Sequence, residues 1–269
     1  MNTPGKLVAE GRTAEIYEWT DGQILKLFRE KSSIDQVKYE VWVTGEVKAA
    51  GLPVPAVGEL VEINGRFGFT SEQISGVSML KIIPAKPWTL FRFARLLADL
   101  QIQMHNYSLP NLPSLNQELE RKIQAAKALS PALQTAALKV LSRLPEGDRL
   151  CHGDFHPGNI LITARGPVII DWNDATQGDP LADVARSSLL LSLAVLPPGV
   201  SAYLRLLLTL GRHMFHRIYL QRYHQLCPGA LQQLMNWQPI VAAARLSNDI
   251  PEEREQLLAI VKAGLAQAQ

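Results

Sequence analysis

The chain has 269 residues, 47% of them hydrophobic and 19% charged, so it carries enough apolar side chain for a sizeable core and most of it is not disordered. Its 27 lysines and arginines nearly balance its 25 aspartates and glutamates, and no block of like charge occurs. This balance argues against a sequence-independent nucleic-acid binder, and we expect no nucleic-acid partner.

The cysteines and the apolar runs bear on where the protein works. Cys151 and Cys227 lie far apart and outside any metal-binding spacing, so neither a disulfide framework nor a zinc site is expected. The N-terminus lacks the apolar core of a signal peptide, and the longest apolar run, 189–196, is too short for a bilayer. These features predict a cytoplasmic protein with no membrane partner.

The first part of the chain, 1–75, is rich in short β-like runs. Predicted strands include QILKLF around Lys26 and a pair of runs joined by an Asn-Gly turn signal. One helix interrupts them, because a capping-box pattern and a closing Gly-x-Pro sequence bound the segment 34–50.

Helical periodicity dominates the second part, 76–269, apart from a break at 145–175. Asp179 followed by Pro180 is typical of a helix start, and helices are expected from there almost to the end. The sequence therefore predicts an α+β protein with a small strand-rich lobe, 1–75, and a larger helical lobe, 76–269.

The break contains two apolar strand candidates, 159–163 and 167–171, around a tight turn. If the turn is centred on Arg165, Asn159 and Asp171 face each other with Cβ atoms roughly 5 Å apart. An amide oxygen and a carboxylate then converge, and Mg²⁺ prefers such oxygen ligands while keeping water and phosphate in the rest of its shell.

Asp154 precedes this hairpin in a loop rich in glycine and proline, where an exposed carboxylate can accept a proton from a substrate hydroxyl. Taken singly, Asp154, Asn159 and Asp171 are also common turn formers. The joint pattern HxDxxxxN followed by an apolar strand ending in IIDW is much harder to obtain by chance, and it indicates phosphoryl transfer.

The motifs HGDFHPGNIL and IIDWNDATQGDPLADVA resemble those of the aminoglycoside phosphotransferase and choline kinase-like family. The resemblance implies a bilobal, protein kinase-like α+β fold and the ATP- and Mg²⁺-dependent transfer of a phosphate to a small-molecule hydroxyl. It implies Asp154 as the catalytic base, with Asn159 and Asp171 as metal ligands. Trp172, in place of the Phe of the protein-kinase DFG triplet, and the lack of an APE-like element indicate the small-molecule branch.

Lys26 and Glu40 are the predicted nucleotide-binding pair of the first lobe. A lysine within an apolar strand either reaches the rim or finds an anion, and both interpretations stay open for Lys26. Glu40 shares a helical stripe with Val37, Thr44 and Val47, so it faces the protein body and needs a cation, for which Lys26 is the candidate.

Two short segments complete the predicted nucleotide site. The loop containing Gly11, Arg12 and Thr13 resembles the family's loose phosphate-covering loop, although it has no GxGxxG and would otherwise be an ordinary turn. FTSEQISG resembles the family's hinge, in which the Glu72 carbonyl and the Ile74 N–H would meet the adenine edge.

Four residues of the second lobe are predicted to be structural. By resemblance, His152 and Asp183 match positions that brace the catalytic loop. His105 lies at a helix end and Cys151 in the strand entering the loop, where a small buried apolar side chain is expected.

The acceptor side carries less signal. On a helix from roughly 203 to 225, Arg212, His216, Tyr219 and Tyr223 share one face, which either lines an acceptor pocket or packs within the lobe.

The charges of the segment 187–269 point to the class of acceptor. This segment has four acids, against seven lysines and arginines and three histidines. A polycationic aminoglycoside needs distributed carboxylates, so a neutral or anionic metabolite such as a sugar is expected.

Two alternatives stay open. Asp174 and Asp179 lie upstream of this segment and could supply carboxylates, which leaves an aminoglycoside acceptor open. The alternative of another class is a nucleotide-binding regulatory module without turnover, against which the retained Asp154 argues.

Overall fold

The structure, a computed structural model, describes residues 4–20, 22–29, 32–193 and 201–267. It divides into two compact units, Met1–Ile82 with Pro157–Asp174 and Ile83–His156 with Ala175–Gln269. The hairpin segment 157–174 is thus grouped with the N-terminal residues. The division into lobes at residues 75 and 76 stays a prediction.

The first unit contains a five-stranded antiparallel sheet and one long helix. The sheet has the order β1-β2-β3-β5-β4, and its elements in chain order are β1 (Leu7–Glu10), β2 (Ala14–Glu18), β3 (Gln23–Phe28), α1 (Ile34–Ala49), β4 (Val57–Ile63) and β5 (Arg66–Glu72). Helix α1 starts at a capping box on Ser33 and stops before Gly51, whose φ of 91° is left-handed. The predicted helix over 34–50 is confirmed to within one residue.

One face of this sheet forms a core with α1. Ala14, Phe28 and Phe69 of the sheet cluster with Val37 of α1, and all four are buried. The helix contributes a single buried stripe that also includes Glu40, so a charged side chain is carried into the apolar interior.

The rest of the first unit is a three-stranded sheet of order β6-β8-β9, made of β6 (Gly76–Ser78), β8 (Ile160–Thr163) and β9 (Gly166–Ile169). A short helix, α2 (Met79–Ala85), follows β6.

The hairpin register corrects the predicted alignment by one residue. Thr163 pairs with Gly166 and Ile160 with Ile169, so the turn is centred between Ala164 and Arg165. Thr163 closes this two-residue turn, since its Oγ1 donates to the Gly166 carbonyl at 2.8 Å and accepts the Arg165 N–H at 3.0 Å. The prediction placed Gly166 in the turn, but Gly166 is the first residue of β9.

The corrected register changes the residue opposite Asn159. Ile170, not Asp171, lies across from it, and the Ile170 N–H donates to the Asn159 carbonyl at 3.0 Å. Asn159 itself ends a short 3₁₀ turn, Pro157–Asn159, and precedes the strand in which it was predicted.

The second unit is mainly helical, with a two-stranded antiparallel sheet. Its elements are α3 (Leu90–His105), α4 (Leu115–Ala125), α5 (Pro131–Leu141), β7 (Arg149–Cys151), β10 (Thr176–Gly178), α6 (Pro180–Leu193), α7 (Ala202–Leu226), α8 (Ala230–Arg245) and α9 (Pro251–Gln267). The predicted start of α6 is confirmed, because Asp179 Oδ1 accepts the Leu181 N–H at 2.7 Å.

Across the described ranges, no helix has the length and apolar character needed to cross a membrane.

Candidate active site

The predicted site residues fall into two groups, one in each compact unit. The first group centres on Lys26 in the middle of β3. Its Nζ donates to Glu40 Oε1 at 2.6 Å, to Glu40 Oε2 at 2.9 Å and to Asp171 Oδ1 at 2.7 Å. The predicted Lys26–Glu40 pair is therefore present, whereas the contact with Asp171 was not predicted.

The sheet and α1 together place this ammonium group. Lys26 lies in a central strand between Ile16 of β2 and Phe69 of β5, and its side chain is only 13% exposed. Gly68 lets β5 lie close to this position, because a Cβ there would be 2.4 Å from the Lys26 carbonyl oxygen. Glu40 is almost fully buried on α1, so the Lys26–Glu40 pair is held by the packing of the sheet on one side and of α1 on the other.

The three charges of this cluster, which we call the lysine cluster (Lys26, Glu40 and Asp171), do not cancel. Burial would lower the pKa of Lys26, but the charges of Glu40 and Asp171 outweigh it and raise that pKa above its ordinary value. Burial raises the pKa of Glu40 to about 7, and the charge of Lys26 offsets only part of this effect. With all three groups ionised the cluster carries one excess negative charge, which favours a further cation beside it.

Asp171 adopts an unusual backbone conformation. Its φ of 70° lies in the left-handed region, which is uncommon for a residue other than glycine. Because Asp171 follows the end of β9, the alternation of the strand does not set its direction, and its carboxylate instead meets Lys26.

The donor chemistry at Asn159 and Asp171 fits a magnesium ion. Asn159 is buried and offers an amide oxygen, and Asp171 offers a carboxylate whose Oδ1 also contacts Lys26. These are hard oxygen donors of the kind Mg²⁺ takes, with phosphate and water filling the other positions. The role of both residues as metal ligands stays a prediction.

The other residues predicted to bind the nucleotide lie in the connection between β1 and β2 and at the end of β5. Gly11, Arg12 and Thr13 connect β1 to β2, and the Gly11 N–H already donates to the Ala14 carbonyl at 2.8 Å. Glu72 ends β5, and Ile74 lies between β5 and β6, inside the first compact unit.

The second group surrounds Asp154, in the loop after β7. His156 Nε2 lies 3.4 Å from Asp154 Oδ2, and the Asp154 N–H donates to His152 Nδ1 at 3.2 Å. Burial alone would raise the pKa of Asp154, but its hydrogen bond and electrostatic interaction with His156 and the positive charge of Arg186 hold it below its ordinary value. Asp154 is thus an ionised carboxylate and a weak base.

Asp183 of α6 braces this loop, as the resemblance implied. Its Oδ1 accepts the Gly153 N–H at 2.8 Å, and its Oδ2 accepts from Gln101 Nε2 at 2.9 Å and lies 3.2 Å from His105 Nε2. Burial would raise the pKa of Asp183, but the hydrogen bond to His105 and its other partners lower it. Asp183 is therefore a buried, ionised and fully engaged carboxylate.

The brace continues into α7 through two buried tyrosines. Tyr223 Oη lies 2.9 Å from His105 Nδ1, and Tyr219 Oη donates to Gln101 Oε1. A neutral His105 that donates through Nε2 to Asp183 presents Nδ1 as an acceptor for the Tyr223 hydroxyl. We call this network, formed by Gln101, His105, Asp183, Tyr219 and Tyr223, the aspartate brace.

For the two tyrosines of α7, these contacts decide whether the helix face packs within the lobe or lines an acceptor pocket. Tyr219 and Tyr223 are buried within the helical unit, so they pack there and do not line an open pocket. His216 is half-buried, with its Nε2 2.7 Å from Ser188 Oγ on α6. The suggestion that this face lines an acceptor pocket is wrong for the two tyrosines.

Sequence reasoning missed Gln101 and Arg186. Gln101 lies one turn before His105 on the buried stripe of α3, and a glutamine at helical spacing among apolar residues is a signal that the sequence does carry. Arg186 lies one turn after Asp183 on α6 and donates to the Gly153 carbonyl at 3.1 Å, but the sequence pattern around it carries no comparable signal.

Cys151 is fully buried, as expected for a small apolar side chain, and burial raises the pKa of its thiol well above the ordinary value.

Comparison with solved structures establishes the fold. The chain superposes on a thermostable mutant of aminoglycoside phosphotransferase APH(4)-Ia, in ternary complex with AMP-PNP and hygromycin B, with a TM-score of 0.68, 15% identity and coverage of 97% of this chain and 92% of that one. A putative fructosamine-3-kinase from Haemophilus somnus gives a TM-score of 0.64 at 15% identity, covering 98% and 92%. The predicted kinase-like α+β fold is confirmed.

Sequence comparison then gives the family. Residues 5–214 match the model of the phosphotransferase enzyme family, so the chain belongs to that family. The chain is also 25% identical over 180 residues to mouse acyl-CoA dehydrogenase family member 10, a match that covers 58% of this chain and only 17% of that protein.

Proposed function

We propose that the protein transfers the γ-phosphate of ATP, with Mg²⁺, to a hydroxyl group of a small molecule. The observation that carries this proposal is the lysine cluster, in which one buried ammonium group is held between Glu40 and Asp171. A cation fixed in this way suits a phosphate-binding role, because the two carboxylates hold the otherwise flexible lysine side chain in one position. Membership in the phosphotransferase enzyme family and the AMP-PNP bound by a structural neighbour support the same proposal.

The first group of residues would bind the nucleotide. Lys26 would neutralise phosphate oxygens and Glu40 would hold it in place, while Asn159 and Asp171 would hold Mg²⁺. When bound, Mg²⁺ would neutralise the charge that develops on the phosphates. Gly11, Arg12 and Thr13 would lie over the phosphates, and the Glu72 carbonyl and Ile74 N–H would meet the adenine.

Asp154 would orient the acceptor hydroxyl and accept its proton. Its lowered pKa makes it a poor base before transfer begins, so the proton would move late, as the hydroxyl oxygen bonds to phosphorus and becomes acidic. Orientation is then the main contribution of Asp154, and the aspartate brace serves that purpose by fixing the loop.

The acceptor that the charges of the segment 187–269 fit best is a neutral or anionic hydroxylated metabolite such as a sugar. Two of the four acids in the segment 187–269 are already paired with arginines in the helical unit. The buried Glu253 has its Oε2 2.5 Å from Arg245 Nε, and Asp249 Oδ1 lies 2.6 Å from Arg254 Nη2. Few carboxylates of this segment are left for a polycationic ligand.

Asp179, one of the upstream acids that left an aminoglycoside open, is also engaged, because it caps α6. The named neighbours divide on this point, since one binds hygromycin B and another is a putative fructosamine-3-kinase. An aminoglycoside acceptor is therefore the alternative to test.

The test is acceptor-dependent release of ADP from Mg·ATP across a panel of sugars, amino alcohols and aminoglycosides. We expect turnover with a neutral or anionic hydroxylated compound at a higher kcat/KM than with kanamycin-like compounds. Efficient aminoglycoside turnover would establish the alternative. Tight Mg·ATP binding without turnover on any acceptor would instead indicate a regulatory module.

A further inference from the structure

Helix α6 holds both polar backbone groups of one residue in the catalytic loop. Asp183 Oδ1 accepts the Gly153 N–H at 2.8 Å, and Arg186 Nε donates to the Gly153 carbonyl at 3.1 Å. Asp183 and Arg186 are three residues apart on the helix, so they are neighbours on its surface.

Gly153 needs such external support. Its φ of 78° is left-handed, and a glycine has no Cβ to restrict its backbone, so its conformation is less well fixed than that of other residues. Gly153 also directly precedes Asp154. A change at its dihedral angles would therefore redirect the proposed catalytic carboxylate.

The carbonyl of Gly153 is part of the peptide group that joins Gly153 to Asp154. That group is planar, so a hydrogen bond to its oxygen fixes the orientation of the whole plane and the direction in which Asp154 leaves it. Asp183 fixes the preceding peptide plane through the Gly153 N–H. Two hydrogen bonds act on the plane that carries Asp154: the Asp154 N–H donates to His152 Nδ1 within the loop, and Arg186 donates to the Gly153 carbonyl from α6.

We propose that Arg186 is a positioning residue for phosphoryl transfer, fixing the peptide plane between Gly153 and Asp154 from α6. The inference rests on the proposed role of Asp154. Arg186 also contributes positive charge near the Asp154 carboxylate, which supports its proximity to that group.

The kinetic test compares Arg186→Ala, Arg186→Lys and a matched control, Arg222→Ala. Arg222 is the suitable control because it is an arginine of α7 whose Nε donates to Asp99 of α3 at 2.7 Å. We expect Arg186→Ala to lower kcat by at least about tenfold, with the KM for Mg·ATP changed by less than about twofold. Arg186→Lys should recover part of the lost kcat, because an ammonium group can still donate to the carbonyl, and Arg222→Ala should match the wild type.

A second measurement does not depend on turnover. Amide hydrogen exchange, followed by mass spectrometry on peptides covering 150–156, should be faster in Arg186→Ala than in the wild type and in Arg222→Ala.

An unchanged kcat in Arg186→Ala, or a parallel loss of kcat, Mg·ATP affinity and melting temperature, would overturn the inference. If the wild type itself turns over no acceptor, the proposed function fails, and unchanged exchange in 150–156 would separately overturn the role of Arg186.

Discussion

The lysine cluster and the aspartate brace bury charge in different ways. In the lysine cluster one cation meets two carboxylates, so the cluster carries an excess negative charge when all three groups are ionised, and one of these carboxylates, Asp171, is also a predicted metal ligand. In the aspartate brace a single carboxylate is surrounded by hydrogen-bond donors from Gln101, His105 and the Gly153 backbone. An incompletely balanced cluster is suited to binding further charge, whereas a fully engaged one is suited to holding geometry.

This contrast predicts that changes near the lysine cluster alter nucleotide binding and that changes near the braced loop alter turnover.

The largest effect is expected for Asp154→Asn. The amide keeps the size of the side chain but cannot accept the proton, so kcat should fall on the order of a thousandfold while Mg·ATP affinity is retained. Steady-state kinetics and nucleotide titration measure the two quantities. Asp148→Asn, at an exposed carboxylate, is the control, and near-normal turnover of Asp154→Asn would reject Asp154 as the base.

Asp171→Ala should act mainly on binding. The change deletes a predicted metal ligand and one of the two carboxylate partners of Lys26, so Mg²⁺-dependent ATP affinity should fall at least about tenfold. Titration with and without Mg²⁺ measures this loss, with Asp35→Ala at an exposed position in the first turn of α1 as the control. Equal Mg·ATP affinity in Asp171→Ala and the wild type would contradict the assignment.

Lys26→Ala and Glu40→Ala should both lower kcat/KM for Mg·ATP, and their effects on this quantity should not add. Glu40→Ala should cost less, because Asp171 still holds Lys26 when Glu40 is removed. A double-mutant cycle on kcat/KM should show a coupling of about 1 kcal/mol or more between the two residues. Losses that sum in free energy would mean that the ion pair has no functional role.

The smallest effect concerns His216, a half-buried imidazole of the helical unit outside the aspartate brace. Burial and the charges of His213 and Arg212 lower the pKa of His216 to about 4, from an ordinary value near 6.5. The folded state therefore binds fewer protons here than the unfolded state, so stability is lost as the pH falls through 6.5 towards 4. Urea unfolding should show that the free energy of unfolding falls by on the order of 3 kcal/mol between neutral pH and pH 4 through this group, and that the fall is smaller in His216→Gln. The same pH dependence in wild type and variant would show that His216 is not the group responsible.

Local sequence patterns were sufficient for several of these features. The helical stripe containing Glu40 and the apolar strand containing Lys26 predicted their ion pair, because a buried carboxylate requires a cation. Capping residues gave the bounds of α1 and the start of α6, since caps act over three or four residues. The residue types of the HxDxxxxN and IIDW motifs predicted phosphoryl transfer, and the resemblance of the motifs to a known family implied the kinase-like fold, which the comparisons confirm.

Tertiary structure alone decided the features that depend on distant segments or on one residue of register. Asp171 meets Lys26 across 145 positions of sequence, and Tyr223 meets His105 across 118, so no local period could reveal either contact. The hairpin register depended on whether Gly166 belongs to the turn or to the strand, and the Thr163 hydroxyl decides it by closing a two-residue turn. The bond from Arg186 to the Gly153 carbonyl leaves no residue signature at its acceptor, because backbone oxygens are the same at every position in the chain.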